Sequence, residues 1–282
     1  MIRLGLLGHP VSHSRSPAMH RAALQAAGLQ GAYELVDVAP EKLRQTLHTL
    51  AEEGWTGVNV TVPHKEAVLS LCDEVDRLTQ RVGAVNTVTF ESGRLMGTNT
   101  DVTGFHDSLR ATTGRTVSDS FALVLGAGGA ARAAAVGLLD SGVQRLVLVN
   151  RDPLRAAQLG VELGVESLPL EYEALASVQP DLIVQATSAG NNALPGTQAW
   201  QEASSFLEHL PWEAWSLTTA FDLVYTPEDT LFLQRARAAG AHAVGGLDML
   251  ARQGALSFER WTQVPARESL PVMLSQLRAS FP

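Results

Sequence analysis

The sequence predicts an α/β protein of two domains, and three observations carry that expectation. Short apolar runs alternate with helical patterns along the chain, which argues for βαβ units and a parallel sheet. At 282 residues the chain exceeds a typical single domain. A polar stretch at residues 112–120 interrupts the alternation, and a fresh strand–turn–helix pattern starts directly after it.

Taken in order, Arg3 to Leu7 reads as the first strand. Ser16-Pro17 then opens a helix through His20, Ala23 and Leu24 that stops at Gly28. Serine suits the cap of that helix, proline its first turn and glycine its end. A strand follows near Tyr33 to Val38, then a helix from Pro40 to Glu53 and a strand from Gly57 to Val62. A helix from Lys65 to Leu71 comes next, then a hairpin of Ala84–Phe90 and Arg94–Asn99 joined at Ser92-Gly93, with Asp101 beside a turn at Gly104. After the polar stretch come a strand at Phe121–Gly126, a helix at Gly129–Ser141 and a strand at Arg145–Asn150. Two further strands are expected at Leu182–Ala186 and Thr219–Leu223, and helices at Met249–Trp261 and Arg267–Phe281.

Composition narrows the function classes. A net charge of −8 argues against a general nucleic-acid surface, which needs a basic stripe. No apolar run approaches the roughly 20 residues of a membrane span, and the N-terminus lacks a secretory three-part layout. Cys72 is the only cysteine, so no intrachain disulfide forms and a reduced, cytoplasmic setting fits; as a residue it reads as a small buried hydrophobe. The histidines show no metal-ligand spacing, and no metal is expected.

The sharpest motif is Gly126-Ala127-Gly128-Gly129-Ala130-Ala131, a G-x-G-x-x-A fingerprint that follows a strand and opens an alanine-rich helix. The first glycine permits the tight turn and the second lets backbone approach a pyrophosphate. The small sixth residue brings helix and strand together. An NAD site usually places Asp or Glu at the end of the second strand, to accept from the ribose 2′-hydroxyl. Here Asn150 is followed by Arg151 and, a helical turn on, Arg155; two guanidinium groups suit a 2′-phosphate, which favours NADP. Asp152 between them opposes that charge or holds an arginine.

Two other segments point to a small anionic substrate. Ser14 and Ser16 stand at a helix N-terminus, where hydroxyls and the helix dipole suit a carboxylate. In Asn59-Val60-Thr61-Val62-Pro63-His64-Lys65, strand alternation sends Asn59 and Thr61 to one face, with Lys65 at the next helix start. Of the 21 lysines and arginines only Lys42 and Lys65 are lysine, and a lysine, unlike an arginine, can give up a proton. Asp101 could orient that ammonium as an acid/base pair; an exposed lysine and an ordinary turn aspartate are the competing readings.

Together these segments resemble the shikimate dehydrogenase family almost end to end. The matching stretches are Ser14–Pro17, Asn59–Lys65, Gly83–Thr87, Asn99–Asp101 with Gly104, Gly126–Ala131 and Asn150-Arg151 with Arg155. Ala186–Ser188 with Gly190, Val224-Tyr225 with Pro227, and Met249-Leu250 with Gln253 follow in the family's order. The resemblance implies NADPH-dependent reduction of 3-dehydroshikimate to shikimate in aromatic amino-acid biosynthesis. It implies Lys65 and Asp101 as the catalytic pair, and Ser14, Ser16, Asn59, Thr61, Asn86, Tyr225 and Gln253 around the substrate. Gly126, Ala127, Gly128, Gly129, Ala130, Asn150, Arg151, Arg155, Thr187, Ser188 and Gly246 would line the cofactor.

It further implies a substrate domain at residues 1–110, a Rossmann NADP domain at 111–241 and helices at 242–282 that return to the first domain, in a monomer or homodimer. A quinate/shikimate enzyme of dual specificity would share every motif, and a non-catalytic ligand sensor would share the scaffold. Arg21, Gln185, Asn191, Gly245 and Asp152 depart from the family's usual residues, mostly around the nucleotide segments.

Overall fold

A computed structural model describes residues 1–114 and 116–281; Arg115, inside the expected connection at 112–120, lies outside the described residues. The chain divides into two compact units, Met1–Gly104 with Leu250–Pro282, and Phe105–Met249.

The first unit runs β1 (Ile2–Gly8), α1 (Ser16–Ala26), β2 (Gly31–Asp37), α2 (Leu43–Glu52), β3 (Gly57–Val60) and α3 (Lys65–Leu69). It continues through β4 (Glu74–Val75), α4 (Arg77–Val82), β5 (Thr87–Glu91), β6 (Arg94–Thr98) and the start of α5 (Asp101–Thr113). Its sheet has the order β2-β1-β3-β5-β6-β4. Only part of it is parallel: β1 pairs in parallel with β2 and β3, but β5 runs antiparallel to both β3 and β6. The β5/β6 pair is a hairpin, whose turn residues Ser92 and Gly93 both take positive φ (51° and 79°) and reverse the chain at once. Leu7, Leu47, Trp55, Val58 and Val88 form its core beneath α2.

The second unit runs β7 (Phe121–Leu125), α6 (Gly129–Asp140), β8 (Arg145–Asn150), α7 (Pro153–Leu163), β9 (Glu166–Pro169), α8 (Tyr172–Ala176) and β10 (Leu182–Gln185). Then come α9 (Gln198–Leu207), β11 (Thr219–Asp222), α10 (Leu231–Ala238) and β12 (His242–Val244). All six strands are parallel, in the order β12-β11-β10-β7-β8-β9. Numbered within the unit that order is 6-5-4-1-2-3, the doubly wound dinucleotide-binding arrangement. Period-two alternation explains the two layers. Ala122, Val124, Leu146 and Leu148 face one side with Ala134 and Leu138 of α6. Leu123, Leu125, Val147 and Val149 face the other, with Phe206 and Phe232.

The chain closes with α11 (Leu247–Thr262) and α12 (Ala266–Ala279). Most of α11 and all of α12 belong to the first unit, where Trp261 donates its indole N–H to the Val88 carbonyl (3.2 Å) over Gly57. A Cβ at Gly57 would come within 2.1 Å of that indole, so only glycine admits the helix there.

The division falls inside helices and not at the polar stretch. Phe105 and Leu109 of α5, and Met249 of α11, are buried in the core of the second unit, and the two compact units divide at 104/105 and 249/250. Gly104, expected in a turn, is a helical residue of α5.

Candidate active site

Lys65 opens α3 directly after β3, and Asp101 opens α5 directly after β6. The ends of β3 and β6, separated in the sheet only by β5, bring them together: Lys65 Nζ donates to Asp101 Oδ2 at 2.7 Å, with the two side chains only 14% and 6% exposed. A pair this sheltered is poorly screened, and removing either partner strands a charge away from water.

Asn86 holds the other carboxylate oxygen. Its Nδ2 donates to Asp101 Oδ1 (2.8 Å), Thr100 Oγ1 (2.9 Å) and, more weakly, Gln253 Oε1 (3.3 Å). Its Oδ1 accepts the Thr100 N–H (2.8 Å), which fixes the amide's orientation. Asp101's own N–H goes to Asn99 Oδ1 (3.0 Å), and Gln253 donates to the Leu250 carbonyl (2.7 Å). Thus Lys65, Asp101, Asn86 and Gln253 share one hydrogen-bonded cluster.

Asn59, expected at the substrate, is 5% exposed, and its amide bonds inside the protein. Nδ2 points at the Asn86 carbonyl, Thr87 Oγ1 and Ser257 Oγ, while Oδ1 accepts from Tyr33 Oη at 2.8 Å. With both amide hydrogens used it is scaffold to Asn86. Thr61 follows β3, and its N–H binds the Leu7 carbonyl.

The serines at α1 also exchange roles. Ser16 does not cap the helix: Arg15 is the N-cap residue, without a side-chain cap bond, and it is Ser14 Oγ that accepts the Ser16 N–H (3.2 Å). Ser16 is buried and Ser14 half-buried. Ser14 therefore keeps its hydroxyl hydrogen available as a donor. Arg21, a departure from the family pattern, has structural work, donating twice to the Tyr33 carbonyl (3.1 and 2.8 Å). Arg15 likewise binds the Ser280 carbonyl (3.2 Å) beside Phe281.

In the second unit the glycine turn behaves as its sequence requires. Gly126 has φ +127°, and a Cβ there would meet the Ala186 carbonyl oxygen at 3.0 Å. Ala131 is fully buried against it. Gly128 is the N-cap of α6 with no side-chain cap and open space where a Cβ would stand. Gly129 and Ala130 begin that helix, so its first-turn N–H groups are offered outward beside Ala127. Arg151 and Arg155 are exposed and Asn150 is half-buried; a cleft of about 590 Å³ bounded by Asn150, Arg151, Pro153, Leu170 and Glu171 lies at the carboxyl ends of β8 and β9.

Asp152 proves to be the N-cap of α7, its Oδ1 accepting the N–H groups of Leu154 (3.0 Å) and Arg155 (3.4 Å). Gln185, another departure, is fully buried and builds the following turn. Its Oε1 accepts from Thr187 N and Oγ1 (2.8 and 2.9 Å), and its Nε2 donates to the Ala189 carbonyl (2.8 Å). Ser188 is exposed on that turn, and Tyr225 is half-buried on the loop after β11. Gly246 packs on the end of β11, where a Cβ would come within 2.8 Å of the Asp222 and Leu223 carbonyl oxygens.

Sequence reasoning missed Tyr33, Thr87, Thr100 and Ser257 as members of the cluster behind Asp101. Thr100 and Thr87 flank motif residues, and Ser257 lies four residues after Gln253, one helical turn on the same face; those spacings were the available signals.

A doubly wound parallel sheet carrying an open glycine turn, in a chain whose other unit holds a sheltered lysine–aspartate pair, defines a two-domain dinucleotide-dependent dehydrogenase. Family models for the shikimate dehydrogenase substrate-binding domain, shikimate/quinate 5-dehydrogenase and the shikimate 5′-dehydrogenase C-terminal domain match residues 6–88, 109–205 and 246–278. The chain is 40% identical over 98% of its length to the NADP(+) shikimate dehydrogenase of Methanopyrus kandleri, covering 96% of that protein. To the enzyme of the same name from Symbiobacterium thermophilum it is 41% identical, covering 92% of this chain and 88% of the relative. The crystal structure of shikimate 5-dehydrogenase from Thermus thermophilus, in complex with NADP(H) and shikimate, aligns over 99% of both chains with a TM-score of 0.84 at 41% identity. The chain belongs to the shikimate dehydrogenase family.

Proposed function

We propose that this protein catalyses the reversible NADPH-dependent reduction of 3-dehydroshikimate to shikimate, with the first unit as the substrate domain and the second as the NADP domain. The observation that carries the reading is the sheltered Lys65–Asp101 pair inside the Asn86–Gln253 cluster. Relatives named NADP(+) shikimate dehydrogenase support the substrate and cofactor assignment.

The cofactor fits its residues. The open cradle at Gly126–Ala130 suits a pyrophosphate, and Arg151 and Arg155 with Asn150 suit a 2′-phosphate. Thr187, Ser188 and Gly246 line the remainder. When bound, NADPH supplies a hydride to the substrate carbonyl carbon.

The chain's own groups do the rest. Lys65 stabilises the charge that develops on the carbonyl oxygen and gives it a proton, then recovers one from solvent. Asp101 aims Lys65 with one oxygen and, held by Asn86 with the other, accepts from a ring hydroxyl. Ser14 and Ser16, at the start of α1, hold the substrate carboxylate, and Thr61, Gln253 and Tyr225 bind ring hydroxyls. The half-buried Cys72 thiol is pushed up to about 11, mainly by burial and then by Asp73, and a chain with one cysteine accords with a reducing cytoplasm. Among the described residues no helix is long and apolar enough to cross a membrane.

Following the nicotinamide absorbance with shikimate and with quinate, offering NADP and NAD in parallel, tests the proposal. Turnover concentrated on shikimate with NADP is expected; absence of shikimate turnover with either cofactor overturns it.

A further inference from the structure

Ser257 sits on α11, fully buried, one turn beyond Gln253. Its hydroxyl donates to the Gln253 carbonyl at 3.0 Å. The Ser257 Oγ atom also accepts from Asn59 Nδ2 at 2.9 Å and shares hydrogen bonds with Thr87 Oγ1 at 2.8 Å and Thr100 Oγ1 at 3.1 Å, three groups from three other elements. Asn59 comes from β3, Thr87 from β5, and Thr100 immediately precedes α5. The same two threonines reach Asn86 Oδ1 (3.0 and 3.2 Å), and the Asn86 amide holds Asp101 Oδ1 at 2.8 Å.

We propose that Ser257 is the positioning residue of the Lys65–Asp101 pair: it hooks α11 into the hydroxyl cluster behind Asn86 and so fixes the Asp101 carboxylate. The chain of contacts runs Ser257, Thr100 and Thr87, Asn86, Asp101, Lys65, and every member short of Lys65 is buried to 5% exposure or less. Serine is the residue for this place because a hydroxyl both donates and accepts. Alanine does neither, and a thiol does both weakly. An alanine would leave Asn59, Thr87 and Thr100 one partner short in a dry site, and the threonine hydroxyls, shared between Ser257 and Asn86 Oδ1, would turn fully to Asn86. That turn changes the bonds Asn86 can offer Asp101, and sub-ångström misplacement of a catalytic group is costly to turnover.

The inference rests on Lys65 and Asp101 being the catalytic pair, and a double-mutant cycle on turnover separates the two ideas. Ser257→Ala in the wild-type background should lower kcat about tenfold, with the affinity for NADP, read by calorimetry, unchanged within about twofold. In the Asp101→Asn background the same substitution should lower kcat less than about twofold, because the group it positions is already gone. An equal loss in both backgrounds, or no loss in the first, overturns the positioning role. If Lys65→Ala keeps near-wild-type turnover, the catalytic reading itself fails, whatever the cycle gives. Should Ser257→Ala not fold, Ser257→Cys keeps the volume and loses the strong hydrogen bonds, and the same cycle is run with it.

Discussion

His20 lies fully buried on α1, its ring stacked on Tyr33 with centroids 4.2 Å apart and planes within 6°. Neither ring nitrogen has a hydrogen-bond partner among the described residues. Burial alone drags its pKa down to about 3 from 6.5, so the native state holds the neutral ring. That stability is complete above the unfolded pKa and is lost as pH falls below it, by about 2 kcal/mol at pH 5 at 1.36 kcal/mol per unit. Urea unfolding of His20→Phe at pH 7 and pH 5 should show a pH difference smaller by about that amount; an unchanged difference rules out His20 as its source. At the reacting group, Lys65→Ala should lower turnover about 10²–10⁴-fold with cofactor affinity kept, and near-wild-type turnover would remove Lys65 from the mechanism. The pairing of Lys65 with Asp101 was legible because both stand near strand ends. Asn59 was half-legible: alternation placed it beside Thr61, but which polar atoms are already satisfied depends on Tyr33 and Ser257, 26 residues behind it and 198 ahead.

Helix α7 is capped by a side chain whose charge lies beside the two arginines proposed for the cofactor. Asp152 caps it through two N–H groups and carries a negative charge between Arg151 and Arg155. Serine caps as well as aspartate but brings no charge. Asp152→Ser should leave stability within a few tenths of a kcal/mol and tighten NADP binding several-fold, with NAD binding unmoved, by calorimetry. Asp152→Ala should cost about 1 kcal/mol in urea unfolding. Equal effects of Ser on both cofactors would mean that the carboxylate does not sense the 2′-phosphate. At this scale the strongly patterned strands were readable to within a residue or two, as β7, β8, β10 and β11 illustrate. Short elements with little periodicity were not: β4, α4, α8 and β12 span two to six residues each and are held by neighbours rather than by their own pattern. The hairpin at Ser92-Gly93 was read from sequence and forms as β5 against β6, while the antiparallel pairing of β5 with β3 was not anticipated.

Over the whole molecule, the two units carry opposite pH liabilities. Asp222, at the end of β11, is fully buried and pushed up to about 7 by burial, against hydrogen bonds from Thr230 Oγ1 (2.6 Å) and Val224 N (2.9 Å) that favour its charge. A raised carboxyl pKa gives stability that is full below the unfolded value of 3.8 and drains away as pH rises through 7, on the order of 4 kcal/mol. The second unit therefore weakens toward alkali and the first, through His20, toward acid. Asp222→Asn, which keeps an acceptor for Val224 and lets the Thr230 hydroxyl turn, should raise the melting temperature at pH 8 and leave it little changed at pH 4. A wild-type profile at pH 8 would contradict the burial argument. The glycine turn and the Rossmann-type unit were visible in sequence, while α5 and α11 each give residues to both units and neither carries a linker's composition. That path has a temporal consequence. The ribosome finishes the middle unit before it makes Ser257 and Gln253, and at about 5–20 residues per second the strands β1–β6 wait on the order of ten seconds for the helix that completes their site. During translation the inserted unit is mature first, and the unit begun earliest is the last to close.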